Sequence, residues 1–145
     1  DLAKFKRIVK KLKDGQYSMI YQNGKFDTLF VEEHTGIRLP MGDDVMLMGT
    51  AFDLTAEHGL DKMAWNYLKI PNWDIPLKEK TKPNNPLVEN EYLPKDIETP
   101  WLLYKFFCKR LDDKQWRVYH EVLQKAYKGY RNIERNGIYI DLSQL

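Results

Sequence analysis

Two short patterns carry residues that could do chemistry at a fixed spacing. Asn23-Gly24-Lys25-Phe26-Asp27 directly follows Tyr17-Ser18-Met19-Ile20-Tyr21, a run that reads as a short strand. A strand that breaks into a turn and then a helix brings polar side chains to the C-terminal edge of a sheet, where α/β folds place their sites. The plainer reading is an ordinary Asn-Gly turn with Asp27 as a first-turn helix acid. Tyr92-Leu93-Pro94-Lys95-Asp96 opens a later helix, and its i,i+4 spacing sets a phenol and a carboxylate one turn apart on one face. There a carboxylate can hold a metal ion while the phenol orients an attacking water. Pro94 fits only within a first helical turn, so the helix must begin near Asn90 or Glu91 for Tyr92 to share the face of Asp96.

The elements that must position these residues follow from periodicity and punctuation. Leu2, Phe5, Ile8, Val9 and Leu12 form one stripe of a helix over residues 2–13, which Asp14-Gly15 ends. The opposite face is basic. Its cluster Lys10, Lys11 and Lys13 is read as a solvated surface in preference to a DNA contact. A second helix spans 26–35, with Phe26, Leu29, Phe30 and Val31 available to pack and Gly36 as its C-cap. Residues 45–52 form an apolar helix or buried strand. Leu60, Met63, Ala64, Tyr67 and Leu68 repeat at helical spacing. Residues 70–90 hold Pro71, Pro76, Pro83 and Pro86 and read as an irregular exposed loop. Helices over 91–110 and 113–135 follow, then an Asn136-Gly137 turn and a strand-like Ile138-Tyr139-Ile140.

Composition narrows the class without naming a partner. The chain has 145 residues, one domain's worth, and 43% of them are hydrophobic, enough for a core. Its 23 Lys and Arg against 21 Asp and Glu leave +2, so bulk charge does not by itself argue for nucleic acid. The single cysteine, Cys108, excludes an internal disulfide framework and reads as an inert core thiol. No apolar run reaches the ~20 residues a membrane span needs. His34, His58 and His120 lie far apart, with no zinc spacing, and read as structural or surface residues. Trp65, Trp73, Trp101 and Trp116 read as core or loop anchors.

Taken together, the two patterns resemble the second and third motifs of the DEDDy family of 3′→5′ exonucleases. The text between them agrees. Asp44-Val45-Met46-Leu47-Met48 is similar to that family's Asp-Thr-Met-Leu segment. His58-Gly59-Leu60-Asp61-Lys62-Met63-Ala64 with Tyr67-Leu68 is similar to its His-x-Leu-x-x-x-Ala-x-x-Tyr-Leu helix. Ile133-Glu134-Arg135-Asn136-Gly137-Ile138-Tyr139-Ile140-Asp141 resembles the phrase that opens the polymerase region of bacterial and phage polymerases of family A.

The resemblance implies an α/β, ribonuclease-H-like exonuclease fold, truncated at the N-terminus and therefore predominantly helical. It divides the chain into a partial exonuclease domain over 1–132 and the start of a connection to the polymerase region over 133–145. Asp27 and Asp96 would ligate Mg²⁺ or Mn²⁺ in a two-metal site, Tyr92 would orient the attacking water, and Asn23 would contact the terminal nucleotide. The partners implied are a single-stranded or frayed 3′ end of DNA and the remainder of a polymerase chain, in a bacterial or phage-infected cytoplasm. The family's first motif, Asp-x-Glu on an opening strand, is not found. Asp96-Ile97-Glu98 is the one such triplet, and it follows the third motif with no apolar strand before it. The first motif is therefore expected upstream of Asp1, and the isolated fragment is expected to be inactive. Two rival readings are a catalytically dead scaffold or DNA-binding module, and an unrelated helical interaction domain.

Overall fold

A computed structural model describes residues 1–15 and 17–140. Asp141 and the Ser143-Gln144-Leu145 end, part of the expected connection, lie outside the described residues. The chain begins with α1 (Leu2–Asp14), whose N-terminus is capped by Asp1 through the Ala3 amide at 2.9 Å. Next come β1 (Ile20–Tyr21), α2 (Gly24–Thr35) and β2 (Asp43–Asp44). The two strands are parallel, with Ile20 opposite Asp43 and Tyr21 opposite Asp44. Parallel neighbours need a crossover, and α2 supplies it, so 20–44 is a small βαβ unit. β2 ends at Asp44, and β1 ends at Tyr21, two residues before Asn23.

Helical structure dominates the rest. α3 (Val45–Phe52) settles the ambiguity at 45–52 in favour of a helix. α4 (Leu60–Met63) continues into a π-helical turn, Ala64–Leu68. The proline-rich segment is not wholly irregular, since α5 (Leu77–Lys80) forms within it. A second π-helical turn, Val88–Tyr92, runs straight into α6 (Leu93–Cys108). α7 (Asp113–Arg117) starts with a capping box in which Asp112 and Gln115 satisfy each other's amides, and a third π-helical stretch, Val118–Leu123, joins it to α8 (Gln124–Asn136). Residues 138–140 form no strand. Ile138, Tyr139 and Ile140 are highly exposed, and a strand without a neighbour has nothing to donate to.

The core is built where α3, α6 and the 118–127 stretch meet. Val45, Met48, Met63, Leu103, Phe107, Tyr119 and Tyr127 are buried together there. Each such side chain contributes about 1.5–3 kcal/mol of transfer free energy. Phe52, Tyr67, Phe106 and Phe107 add edge-to-face and stacked ring contacts at 5.4–5.9 Å.

Several expectations about single side chains fail for a shared reason. On α6 the buried positions are Thr99, Pro100, Leu103 and Phe107, of which 99, 103 and 107 recur every fourth residue along one face. Cys108, expected in the core, lies off that face and is exposed, as is Trp101. Trp65 is likewise 56% exposed. Of the α1 stripe only Val9 is buried, while Leu2, Phe5 and Ile8 stay exposed. Phe26 and Phe30 of α2 are also largely exposed. Periodicity identifies an apolar face, but packing decides whether another element covers it.

Candidate active site

The C-terminal edge of the βαβ unit is organised by a residue to which the sequence assigned no role, Asp44. Its side chain is 1% exposed. Oδ1 accepts from the amides of Asn23 (3.2 Å) and Met46 (3.0 Å), and Oδ2 accepts from the Gly24 amide (2.7 Å) and the Tyr127 hydroxyl (2.8 Å). One carboxylate thus caps α3, fixes the turn that starts α2 and reaches α8. The turn demands such support. Asn23 sits at φ 59°, in the left-handed region that Asn tolerates better than most residues. A Cβ at Gly24 would overlap the Tyr21 side chain, so only glycine permits this approach. Tyr127 also accepts from the Lys25 amide at 2.9 Å and lies 3.3 Å from Asn23 Oδ1. Burial, with the Asp44 carboxylate nearby, pushes the Tyr127 phenol well above its ordinary pKa. It therefore stays a hydrogen-bond donor at any physiological pH.

Asp27 stands one turn beyond Asn23 on α2, exposed at the surface. The protein packed around it, together with the Asp44 carboxylate, raises its carboxyl above the usual range. Burial likewise lifts the Tyr21 phenol to about 12, with Asp27 adding to the effect. A carboxylate held near a second one is where a cation would be most stabilising.

Tyr92 and Asp96 meet in a separate small cavity of about 230 Å³, lined also by Leu60, Asp61, Trp73, Asp74 and Lys80. The shared face required of the Tyr-x-x-x-Asp pattern is therefore present, and Pro94 does not prevent it. The helix is under way by Val88, with Pro94 in the first turn of α6. The turn before it is π-helical, closed by the Leu93 amide on the Val88 carbonyl. Such a widened turn relieves the clash between a proline ring and the carbonyl four residues back.

Within this cavity both side chains are held from the 70–80 segment. Trp73 Nε1 donates to Asp96 Oδ1 at 2.9 Å. Lys80 Nζ donates to the Tyr92 hydroxyl at 3.1 Å and pairs with Asp74 at 2.6 Å. The ammonium also lies 4.4 Å from the Tyr92 ring centre. These contacts raise the Lys80 pKa, its hydrogen bond to Asp74 most of all. Burial raises the Tyr92 phenol, Lys80 opposes that rise, and the nearby Asp96 carboxylate adds to it. Since Lys80 occupies a lone pair of the neutral phenol, the hydroxyl hydrogen remains for an acceptor, the Asp96 carboxylate beside it or a water between them. That suits a group which orients water.

Asn23 and Asp27 belong to one end of the βαβ unit, Tyr92 and Asp96 to the cavity beside α5. Among the described residues no three His, Cys, Asp or Glu side chains converge on a metal position. Trp73 and Lys80 were missed in the sequence. Their partners lie 23 and 12 residues away, and a tryptophan in a polar, proline-rich stretch was the only signal. Each of the three histidines, read as structural or surface residues, makes a contact with the protein. His34 bonds the Phe30 carbonyl, His58 the Asp53 carbonyl, and His120 stacks on Trp116.

Comparison with known proteins draws on the same segments. The family model for 3′-5′ exonuclease domains of family A DNA polymerases matches residues 2–111, which include β1, α2 and the Tyr92–Asp96 turn. The chain is 29% identical over 132 residues to DNA polymerase I of Borreliella burgdorferi, a match covering 88% of this chain and 14% of that protein. No solved structure gives a significant match. No helix among the described residues is long and apolar enough to cross a membrane. A match across 2–111, reaching from α1 past the end of α6 and containing all four predicted site residues, settles the family: the chain belongs to the 3′-5′ exonuclease domains of family A DNA polymerases.

Proposed function

We propose that this chain supplies Asn23, Asp27, Tyr92 and Asp96 to a proofreading centre that hydrolyses the 3′-terminal phosphodiester of single-stranded or frayed DNA. The observation that carries this reading is the cavity shared by Tyr92 and Asp96, in which Trp73 and Lys80 fix the carboxylate and the phenol. The parallel β1-α2-β2 unit is what a ribonuclease-H-like sheet would use to present Asn23 and Asp27. Residues 1–132 would be the exonuclease part and 133–145 the start of the connection to a polymerase region. Gly137, at φ 70°, is where the chain leaves α8 within that second stretch.

The donor chemistry suits Mg²⁺ or Mn²⁺, since Asp27 and Asp96 offer hard carboxylate oxygens. The donor number does not close a site: two carboxylates leave ligands for others to supply, as the Asp-x-Glu pair would. When bound, a pair of such ions supplies an activated water and neutralises the leaving oxygen. The chain's own residues do the rest. Tyr92 aims its hydroxyl hydrogen while Lys80 holds its oxygen, Trp73 keeps Asp96 in one rotamer, and Asn23 meets the terminal nucleotide. Terminal mismatches fray most readily, which gives selectivity without reading base sequence.

The test is Asp27→Ala and Asp96→Ala in the full protein, assayed on a 3′-mismatched oligonucleotide with Mg²⁺. Each is expected to abolish hydrolysis while leaving single-strand binding largely intact. Equal loss of binding and cleavage would overturn the metal assignment, and unchanged cleavage would favour a non-catalytic scaffold.

A further inference from the structure

A cleft of about 780 Å³ opens between the end of α1, the connector over 37–41 and α8. Its polar lining is Lys13, Arg38, Lys128, Arg131 and Asn132, and no carboxylate lines it. Lys13 and Lys128 join no ion pair among the described residues, and Arg38 reaches only Asn132 Oδ1, at 3.3 Å.

Arg131 is the telling member. It is 1% exposed, with Nε donating to Thr28 Oγ1 at 3.0 Å and Nη2 to Glu32 Oε2 at 2.7 Å. Its Nη1 is buried and has no partner among the described residues. Buried N–H donors are nearly always satisfied by protein or ordered water, so this leftover donor leaves the floor of the cleft short of one oxygen acceptor. With the Arg131 charge met by Glu32, the wall keeps three cations that join no ion pair among the described residues, Lys13, Arg38 and Lys128, and these match the phosphate oxygens of a polyanion. The volume exceeds what a single inorganic phosphate fills. The Lys10, Lys11 and Lys13 cluster, read from sequence as a solvated face, thus divides: Lys13 turns to the cleft, while Lys10 and Lys11 do not line it.

We propose that this cleft binds the phosphodiester backbone of a single DNA strand, as a holding site distinct from Asn23, Asp27, Tyr92 and Asp96. The proposal takes DNA as the ligand from the exonuclease reading, but it needs no cleavage at those four residues.

The experiment measures anisotropy of a labelled oligothymidylate bound to the full protein, in chelator so that no hydrolysis occurs. A Lys13→Glu/Lys128→Glu variant is compared with Lys6→Glu/Lys10→Glu, which makes the same charge change outside the cleft. All four lysines are exposed, and urea unfolding checks that both variants fold. The cleft variant is expected to bind at least tenfold more weakly. Its slope of log affinity on log salt should fall by about 1.4, two lost contacts at roughly 0.7 each on a single strand. The control variant should change neither. Equal weakening in both variants, or in neither, overturns the proposal. Inorganic phosphate and thymidine monophosphate are the second arm. Displacement of the strand by millimolar amounts of either, abolished in the cleft variant, would make the cleft a small-anion site and overturn the strand assignment. Because the assay runs in chelator and reads binding alone, loss of the strand in the cleft variant is scored independently of whether Asp27 and Asp96 support cleavage.

Discussion

Asp44 and Asp96 are both partly or wholly withdrawn carboxylates beside a tyrosine, yet they are built for opposite ends. Asp44 is sealed, and four donors, from the Asn23 turn, α2, α3 and α8, saturate its oxygens. Asp96 is half-buried, receives one bond from Trp73, and opens onto a cavity. A carboxylate whose lone pairs are all spent on its own fold has nothing left for a ligand. One held by a single donor is oriented and still has capacity. The contrast separates an acid spent on the fold from one with capacity left for a ligand, without reference to motif. It makes Asp44 the former although its segment is part of the family resemblance.

The largest break of that contrast is Asp44→Ala. It would strand the Tyr127 hydroxyl and the Gly24 amide in a buried site and remove the cap of α3. The expected loss is about 3 kcal/mol or more, because buried donors left unpaired cost roughly 1–3 kcal/mol each. Urea denaturation measures it, and a loss under about 1 kcal/mol would mean that the donors find other partners.

The Asp96 side should yield in activity rather than stability. Trp73→Phe keeps the ring and deletes the bond to Asp96, while Lys80→Met removes the donor to Tyr92 and the partner of Asp74. Each is expected to lower kcat about tenfold, the equivalent of roughly 1.4 kcal/mol of lost positioning. KM should move little, and Lys80→Arg should restore part of the loss. A rise in KM at constant kcat would instead make these residues binders of substrate.

The same contrast explains what could be read from the chain in advance. Helix spans over 2–13, 26–35 and 113–135 were legible because apolar spacing, Gly15 and Gly36 are local signals. Gly36 does stand at φ 71° as a left-handed cap. Tyr92 and Asp96 were legible because i,i+4 spacing fixes a common face once the helix exists. Asp44's bonds to Gly24 and Tyr127, and Trp73's to Asp96, cross 20, 83 and 23 residues. No periodicity encodes those partners. Cys108 and Trp101 were misjudged for a related reason, since a run as apolar as 101–108 conceals which of its faces the fold covers.

The smallest effect concerns Asp27, which shares its residue type with Asp44 and lies near it, but on the exposed side of α2. Its carboxyl is raised in the folded protein, so at neutral pH the ionised form is tolerated less well folded than unfolded. Replacing the charge by the neutral amide in Asp27→Asn therefore removes a penalty rather than a contact. Stability at neutral pH should stay within about 0.5 kcal/mol of the parent, and on the favourable side. Side-by-side urea curves of Asp27→Asn and Asp44→Ala read the comparison directly. A marked loss for Asp27→Asn would show that Asp27 accepts bonds on which the fold depends. That would move it from the acids held open for a ligand to those spent on the structure.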